Sequence, residues 1–439
     1  MKTRKIFLLA LMMFGLTSCS LFDDSDIAIH NTYNPPEETH TPGENGEPVA
    51  GGVEGTDAVI KDDDGNVVKD LHATVFKSVC YATDDKIANT YKAGGVNENE
   101  FDVNGGEDYA GGKSRNNYDL YIPKAFQEDT TKMDQNHVVV LFIHGGAWVS
   151  GFKTDVNEYL YEFTDRGYIA ATIKYSLLRK EMDDPTLSIF RDLDEIDACI
   201  KSIKTVLTDL GFNTAKTKLV LGGASSGAHL AMLYSYSRGQ HAALPIQFIV
   251  DAVGPVNIIP DAWKCFTSSA PASVHNDISA SANSSNNAYL DTLPVAGMGY
   301  NWDEYHTMFI ANGMCGLPYP ISTVEAASSN KVDITEPSNP AAQAMCGTNG
   351  GEAQLSVTYW INKGINNYPI VCAYAGQDSV VGINQYATLQ TALDNQSIDY
   401  SYFYFKNSNH QDIDNKQEDR VEVYNNFLAE ITSRCNALL

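Results

Sequence analysis

The chain has 439 residues, of which 43% are hydrophobic and 10% are aromatic. This composition provides ample material for a packed globular core and excludes a chain that is disordered throughout. The formal charge of -25 creates an average field that repels phosphate backbones and anionic lipid headgroups, so nucleic acid is not an expected partner. Length and charge leave the oligomeric state open.

The first nineteen residues predict export. Three basic residues near the N-terminus precede an apolar run at 6–16, which is too short to span a bilayer comfortably. The tetrapeptide Leu16-Thr17-Ser18-Cys19 resembles a bacterial lipobox, in which the cysteine is diacylated and becomes the new N-terminus. We therefore expect 1–18 to be a signal peptide and Cys19 to carry the membrane anchor. An ordinary signal peptide and an uncleaved anchor helix are the alternatives.

Acidic residues follow the cysteine, at Asp23 and Asp24, and resemble the surface-export signals of Bacteroidetes lipoproteins. A solvated acidic tether explains them equally well. The expected location is therefore the outer membrane, on either its periplasmic face or the cell surface. The lipid is the only expected contact with a membrane.

Residues 19–71 are rich in proline, glycine and acidic side chains, and we interpret them as a flexible tether. Within this stretch, two short apolar segments flank Asp62-Asp63-Asp64-Gly65-Asn66, which predicts a small hairpin. A calcium-binding EF-hand loop is disfavoured because Ile60 occupies its first ligand position. The main domain is predicted to span 72–439.

Beyond the tether, strand and helix patterns alternate, which predicts a mostly parallel sheet with helices on both faces. Strands are predicted at 117–123, 137–143, 168–174, 218–222, 246–253, 369–375 and 400–405, and helices at 155–166, 185–210, 226–237, 382–395 and 417–431.

The region at about 257–344 interrupts this alternation. It is rich in Ser, Asn, Ala, Pro and Gly, with scattered bulky residues such as Trp263 and Trp302. A structureless loop of this length is uncommon inside a compact domain, so we expect an inserted cap beside a site.

Seven cysteines remain once Cys19 is set aside, and an odd number cannot all form pairs. Cys199 and Cys372 lie in helix and strand patterns, where a buried thiol is the usual role. The candidates for disulfides lie together in a loop-rich region: Cys265, Cys315 and Cys346. The spacings disfavour zinc, and we expect neither a metal nor an organic cofactor.

The segment Gly223-Ala224-Ser225-Ser226-Gly227 lies between a predicted strand and a predicted helix, the setting that a nucleophile elbow requires. A nucleophilic serine must project from a tight strand-to-helix turn, where glycines allow close packing. The helix N-terminus also favours negative charge that develops during a reaction. Ser225 is therefore the candidate nucleophile, although a bare G-x-S-x-G match also occurs in ordinary loops.

A second motif, His144-Gly145-Gly146-Ala147-Trp148, follows the strand predicted at 137–143. With the elbow, it resembles the bacterial carboxylesterases related to hormone-sensitive lipase and kynurenine formamidase, from about residue 117 to the C-terminus without the insertion. The resemblance implies an α/β-hydrolase fold, with an oxyanion hole formed by the N–H groups of Gly146, Ala147 and Ser226. It also implies a structural role for His144. The family's usual elbow has Ala and Gly where this chain has Ser226 and Ala228, which affects the expected acyl preference more than the mechanism.

In this fold the acid follows a late strand and the catalytic histidine comes after the acid. Asp378 follows the strand predicted at 369–375, and His410 follows the next strand. A role for Asp378 in capping the turn is the alternative, and Asp412 is the fallback acid. His229 and His306 precede the acid and are excluded by this order. The family typically has Gly where Asn409 stands.

The sequence therefore predicts a serine carboxylesterase that forms an acyl-enzyme through Ser225, His410 and Asp378. We expect a small-molecule or carbohydrate ester as substrate, with a short acyl group. An amidase, formamidase or peptidase with the same triad is the alternative within enzymes, and a noncatalytic glycan-binding lipoprotein is the alternative outside them.

Overall fold

A computed structural model describes 49–50, 52–62, 64–81, 117–148, 151–178, 188–258, 314, 354–378 and 380–439 of the chain. The predicted signal peptide, Cys19, most of the predicted insertion and the three disulfide candidates lie outside these residues. Among the described residues, no helix is both long enough and apolar enough to cross a bilayer.

Among the described residues the strands are β1 Val49–Ala50, β2 Val53–Glu54, β3 Thr56–Lys61, β4 Val67–Cys80, β5 Asn117–Pro123, β6 His137–Ile143, β7 Ile169–Lys174, β8 Thr217–Ala224, β9 Ile246–Ala252, β10 Ile370–Ala375 and β11 Tyr400–Phe405. Nine of these strands form one mixed sheet, in the order β11-β10-β9-β8-β6-β7-β5-β4-β3. The six strands from β11 to β7 pair in parallel, and β5, β4 and β3 extend the sheet with antiparallel pairings. A separate two-stranded pair, β1 and β2, precedes them.

Helices cover both faces of this sheet, and each face has its own apolar core. Successive residues of β6 alternate between the two cores: Val139, Leu141 and Ile143 on one face, Val138, Val140 and Phe142 on the other. In the part of the chain that the structure describes, the helices are α1 Ala125–Glu128, α2 Asn157–Asp165, α3 Ile189–Asp209, α4 Ser226–Arg238, α5 Val357–Lys363, α6 Asn384–Gln396 and α7 Glu418–Asn436. The first core is covered by α3, α4, α5 and α6, and the second by α2 and α7.

This architecture confirms the predicted α/β-hydrolase fold with a mostly parallel central sheet. Burial of every residue of β6 explains why 138–143 are continuously apolar rather than alternating. Cys199 and Cys372 lie within the core as buried thiols, and burial raises the pKa of both well above the usual range.

The predicted hairpin is present as β3 and β4, joined by a turn in which Asp62 accepts from the backbone of Asp64 and Asn66. Both strands belong to the nine-stranded sheet, since β4 also pairs with β5. The boundary predicted at residue 72 therefore lies within β4, and the folded unit extends at least to Thr56. The acidic turn concealed this continuity because its composition is that of a solvated linker.

The described residues up to Ile258 and from Gln354 onward, on either side of most of the predicted insertion, lie side by side. Ile258 N donates to Ser356 Oγ at 2.9 Å, and Ser356 Oγ donates to Asn257 Oδ1 at 3.1 Å. The side chain of Gln385 on α6 accepts from Val256 N at 2.8 Å. These hydrogen bonds link residues 256–258 both to the chain after Gln354 and to α6.

Candidate active site

Ser225 occupies the turn between β8 and α4 with an unusual backbone conformation. Its φ is +54° and its ψ is -125°, a region that costs a non-glycine residue about 1–3 kcal/mol. Surrounding hydrogen bonds hold it there: Ser225 N donates to Ala252 O on β9 at 2.8 Å, and His229 N donates to Ser225 O at 3.1 Å. The strain therefore lies at the residue that the sequence predicts to be the nucleophile.

The glycines on either side of Ser225 are required by close backbone packing. A Cβ at Gly227 would lie 2.2 Å from Ile143 O and 2.4 Å from His144 O. A Cβ at Gly223 would lie 2.4 Å from the carbonyl carbon of Gly227. These approaches bring the start of α4 against the end of β6, so the elbow and the loop after β6 adjoin.

His410 links Ser225 to Asp378. Its Nε2 lies 2.8 Å from Ser225 Oγ, and its Nδ1 lies 2.7 Å from Asp378 Oδ2. The carboxylate can only accept, so Nδ1 donates to it and Nε2 is left as the acceptor for the serine hydroxyl. The side chain of His410 is 11% exposed and that of Asp378 is fully buried, so the imidazole is the more accessible of the two groups.

Three strand ends bring these side chains together. Ser225 follows β8, Asp378 follows β10 and His410 follows β11, all at the carboxyl edge of the parallel strands. The second carboxylate oxygen of Asp378 accepts from Val380 N at 2.7 Å and Val381 N at 2.8 Å, which fixes its orientation. The carboxylate thus both caps this turn and bonds to His410.

Asp412, the fallback acid, has another partner. Its Oδ2 accepts from Arg420 Nη2 at 2.9 Å, and Arg420 Nη1 lies 3.5 Å from Asp414 Oδ1. The guanidinium of Arg420 is largely buried under the loop that follows His410. These ion pairs hold the loop against α7, while the hydrogen bond to the His410 ring comes from Asp378.

The loop after β6 has three consecutive residues in the left-handed region. Gly146, Ala147 and Trp148 have φ values of +120°, +51° and +62°. Glycine adopts this conformation readily, whereas Ala147 and Trp148 are strained by it. Ser226 is buried as the first residue of α4, so its N–H is one of the unpaired donors at a helix N-terminus.

His144 is buried within this loop. Its Nδ1 donates to Gly145 O at 2.8 Å, and its ring stacks on Tyr175 with 4.4 Å between ring centroids. The hydroxyl of Tyr175 donates to His144 O at 3.3 Å. These contacts surround both the ring and the carbonyl of His144 and link the loop to the end of β7.

Sequence order excluded His229 as the base, yet it contacts the same loop. Trp148 Nε1 donates to His229 Nδ1 at 3.2 Å, and His229 Nε2 donates to Leu355 O at 2.7 Å. Burial lowers the pKa of His229 to about 4, so its ring is neutral at ordinary pH. Nothing in the sequence pairs Trp148 with His229, so the sequence did not predict this contact. The tryptophan in the loop motif is the one signal that points towards it. His306, also excluded by order, lies outside the described residues.

A buried acid beneath the elbow was not identified from the sequence. Asp251 lies on β9, next to the carbonyl of Ala252 that accepts from Ser225 N. Its Oδ1 accepts from Gly254 N at 2.8 Å, and burial raises the pKa of Asp251 to about 7. Alternating apolar residues on β9 concealed it, because a carboxylate within a buried strand has no sequence signature.

The fold and the arrangement at this sheet edge define the class of the protein as an α/β-hydrolase. The BD-FAE family model, which describes esterases of this fold, matches 118–297. The match includes the loop after β6 and the elbow, but not Asp378 or His410. The predicted resemblance to α/β-hydrolase esterases is confirmed at this level.

Comparisons with individual proteins give short or distant matches. A segment of 120 residues is 28% identical to the non-reducing polyketide synthase atr1 of Stereocaulon alpinum, covering 27% of this chain and 5% of that protein. The chain thus spans about a twentieth of the length of this curated relative.

Two solved structures are similar at low identity. Esterase B from Lactobacillus rhamnosis is 14% identical, with a TM-score of 0.44 and coverage of 74% of this chain and 82% of that one. A truncated carbohydrate esterase from gut microbiota is 13% identical, with a TM-score of 0.46 and coverage of 84% and 98%.

Proposed function

We propose that this protein is a serine carboxylesterase in which Ser225 is the nucleophile, His410 the general base and Asp378 the orienting acid. One observation carries the proposal: a continuous path of hydrogen bonds, 2.8 Å and 2.7 Å long, joins Ser225 Oγ through the His410 ring to Asp378. This is the geometry that activates a serine hydroxyl, because the base and its orienting group are both within hydrogen-bond distance.

In the first half-reaction, Ser225 Oγ attacks the ester carbonyl carbon while its proton moves to His410 Nε2. Asp378 stabilises the imidazolium ion through the Nδ1 hydrogen bond without itself taking the proton. The tetrahedral intermediate then collapses, the carbon–oxygen bond to the alcohol breaks, and His410 Nε2 returns its proton to the leaving alcohol. The acyl group remains on Ser225.

The backbone N–H groups of Gly146, Ala147 and Ser226 would bind the carbonyl oxygen as it becomes negative. The left-handed conformation at Gly146 and Ala147, together with the position of Ser226 at the start of α4, supports this assignment. Loss of one such donor typically costs about 10²–10³ in kcat. In the second half-reaction, His410 Nε2 takes a proton from a water that attacks the acyl carbon. The bond between that carbon and Ser225 Oγ then breaks, His410 Nε2 returns the proton to Ser225 Oγ, and the carboxylic acid is released.

The ester specificity is supported by the match of 118–297 to an esterase family. An amide substrate requires a poorer leaving group to be protonated by the same histidine, so the triad alone is compatible with either reaction. The two reactions are distinguished by comparing the rates of hydrolysis of an ester and of the anilide with the same acyl group. An enzyme that prefers the anilide would be an amidase.

We propose short acyl groups on carbohydrates or similar polar compounds as the natural substrates. The insertion at about 257–344 supports this, since its sequence is rich in Ser and Asn. A lid that acts at an oil surface would need a broad apolar face instead. We also propose lipid attachment at Cys19. This anchor would hold the enzyme at a membrane, where it encounters polymer fragments.

The test is labelling by a fluorophosphonate probe together with hydrolysis of p-nitrophenyl acetate. We expect the wild type to be labelled and Ser225→Ala to be unlabelled, with activity lower by roughly 10⁴–10⁶. His410→Gln should also be inactive, whereas the matched control His241→Gln, at an exposed position, should retain activity. Removal of a triad residue should cost far more than a factor of ten. Activity of Ser225→Ala within about tenfold of the wild type would therefore refute the assignment of Ser225 as the nucleophile.

The substrate class is tested by a series of p-nitrophenyl esters from acetyl to palmitoyl, followed by acetate release from acetylated oligosaccharides. We expect kcat/KM to be highest for the shortest acyl groups. A preference for palmitoyl esters would contradict the short-acyl proposal while leaving the triad intact. Absence of probe labelling and of all hydrolysis would instead favour a noncatalytic glycan-binding protein.

A further inference from the structure

The side chain of His229 joins three parts of the fold that meet at the candidate active site. It lies on α4, one turn after Ser225, and is fully buried. Trp148 Nε1, from the loop after β6, lies 3.2 Å from His229 Nδ1. Leu355 O, from the chain that returns after the insertion, lies 2.7 Å from His229 Nε2.

The chemistry of the two partners determines the ring's protonation. A carbonyl only accepts, so Nε2 carries the proton and donates to Leu355, while an indole N–H only donates, so Nδ1 must accept from Trp148. Only a neutral imidazole with the proton on Nε2 satisfies both. The low pKa that burial imposes on His229 keeps the ring in this form.

Trp148 needs such a contact because its backbone is held in a sparsely populated conformation. Ala147 and Trp148 are consecutive non-glycine residues with positive φ, and such conformations persist only where neighbouring structure holds them. Two hydrogen bonds to other described residues hold Trp148: its carbonyl accepts from Leu178 N at 2.8 Å, and its indole donates to His229 Nδ1 at 3.2 Å. The indole packs edge-on against the imidazole, with 5.2 Å between ring centroids.

We propose that His229 is a positioning residue that holds Trp148 and thereby keeps the neighbouring N–H of Ala147 directed at the oxyanion. This inference rests on the proposed function, since it assigns an effect on the transition state to a residue that touches neither substrate nor Ser225 Oγ. The hydrogen bond from Trp148 carries the effect. The bond to Leu355 fixes the tautomer and ties the chain after the insertion to α4.

The two hydrogen bonds can be separated by a matched pair of amide variants. In His229→Asn the side-chain oxygen takes the place of Nδ1, so it can accept from Trp148 but cannot reach Leu355. In His229→Gln the side-chain nitrogen takes the place of Nε2, so it can donate to Leu355 but leaves the indole N–H unpaired. His229→Leu removes both bonds, and Trp148→Phe removes the indole donor while retaining an aromatic ring.

We expect His229→Gln, His229→Leu and Trp148→Phe to lower kcat on p-nitrophenyl acetate by roughly ten- to hundredfold, the loss typical of displaced catalytic groups, with a smaller change in KM. The affinity for a trifluoromethyl ketone, which forms a tetrahedral adduct with the serine, should fall in parallel. His229→Asn should retain kcat much nearer the wild type, although its melting temperature falls. The double variant Trp148→Phe/His229→Gln should be no slower than the slower single variant, because both changes break the same bond.

Three results would overturn the proposal. The first is that both Trp148→Phe and His229→Gln retain kcat within about twofold of the wild type, because a displaced catalytic group should cause a larger loss. Another is equal kcat in His229→Asn and His229→Gln, and the third is additive losses in the double variant. If His229→Leu does not fold, the amide pair and Trp148→Phe still decide. Failure of the proposed function itself would be recognised separately, since Ser225→Ala would then remain active or wild-type protein would remain unlabelled.

Discussion

Replacing Asp251 by Asn should make the protein more stable above neutral pH. Burial raises the pKa of Asp251 from 3.8 to about 7, so the native state keeps a proton there that the unfolded chain loses at lower pH. Asparagine has nearly the same shape, and its oxygen can still accept from Gly254 N. The substitution therefore removes the cost of ionising a buried carboxyl without opening a cavity.

The sign and size of this change in stability follow from the linkage between proton binding and folding. Between pH 3.8 and about 7 the folded state binds more protons than the unfolded state, so the contribution of Asp251 to stability falls as pH rises. The gap is roughly 3 pKa units, which corresponds to about 4 kcal/mol in total. Between pH 5 and pH 8 the advantage of Asp251→Asn over the wild type should grow by about 3 kcal/mol.

Urea unfolding of both proteins at pH 5, 6, 7 and 8 measures this difference directly. Because both proteins contain all the other titrating groups, the difference between them cancels the effects of those groups. One such group is buried His229, whose lowered pKa makes stability fall as pH decreases. Asp399→Asn is the surface control, because Asp399 is exposed and its pairing with Arg434 should contribute little. An advantage that stays constant with pH, or that shrinks as pH rises, would refute the reasoning.

Further predictions concern the acid, the elbow and the anchor. Asp378→Asn should lower kcat by about 10⁴, whereas Asp412→Asn should cost far less in the same ester assay; the reverse order would make Asp412 the acid. Gly227→Ala should lower the free energy of unfolding by roughly 3 kcal/mol or more, because the new Cβ meets two backbone oxygens. Gly167→Ala, with φ of +85° and open space, should cost only about 1 kcal/mol, which urea unfolding would check. Cys19→Ala should move the protein from the detergent phase to the aqueous phase, and unchanged partitioning would exclude lipid attachment there.

The sequence was most informative where a local pattern has one common structural solution. Continuous apolar runs such as 137–143 predicted buried parallel strands, and the observed β6 has the same bounds. The order of motifs along the chain was equally informative, since the carboxyl ends of parallel strands share one edge of the sheet. Ser225, Asp378 and His410 were therefore selected as candidates from their positions after the strands predicted at 218–222, 369–375 and 400–405, without knowledge of any distance.

The acidic turn at Asp62–Asn66 shows where composition misleads. Its solvated residues resemble a linker, yet β3 and β4 on either side pair within the main sheet. Strand pairing depends on a partner distant in sequence, which for β4 is β5, at 117–123. A local pattern contains no information about such a partner, so the domain boundary was placed too late in the chain.

The sequence by itself therefore determined the order of strands, helices and chemical groups along the chain, because this order depends on local periodicity and on turns formed by neighbouring residues. Only the tertiary structure decided which side chains meet: Asp378 rather than Asp412 at His410, Trp148 at His229, and a buried carboxyl at Asp251 beneath the elbow. The physical reason is that burial and hydrogen-bond partnership are set by residues far apart in the chain. The packing of α4 against the end of β6 therefore had to be known before the surroundings of Ser225 could be described.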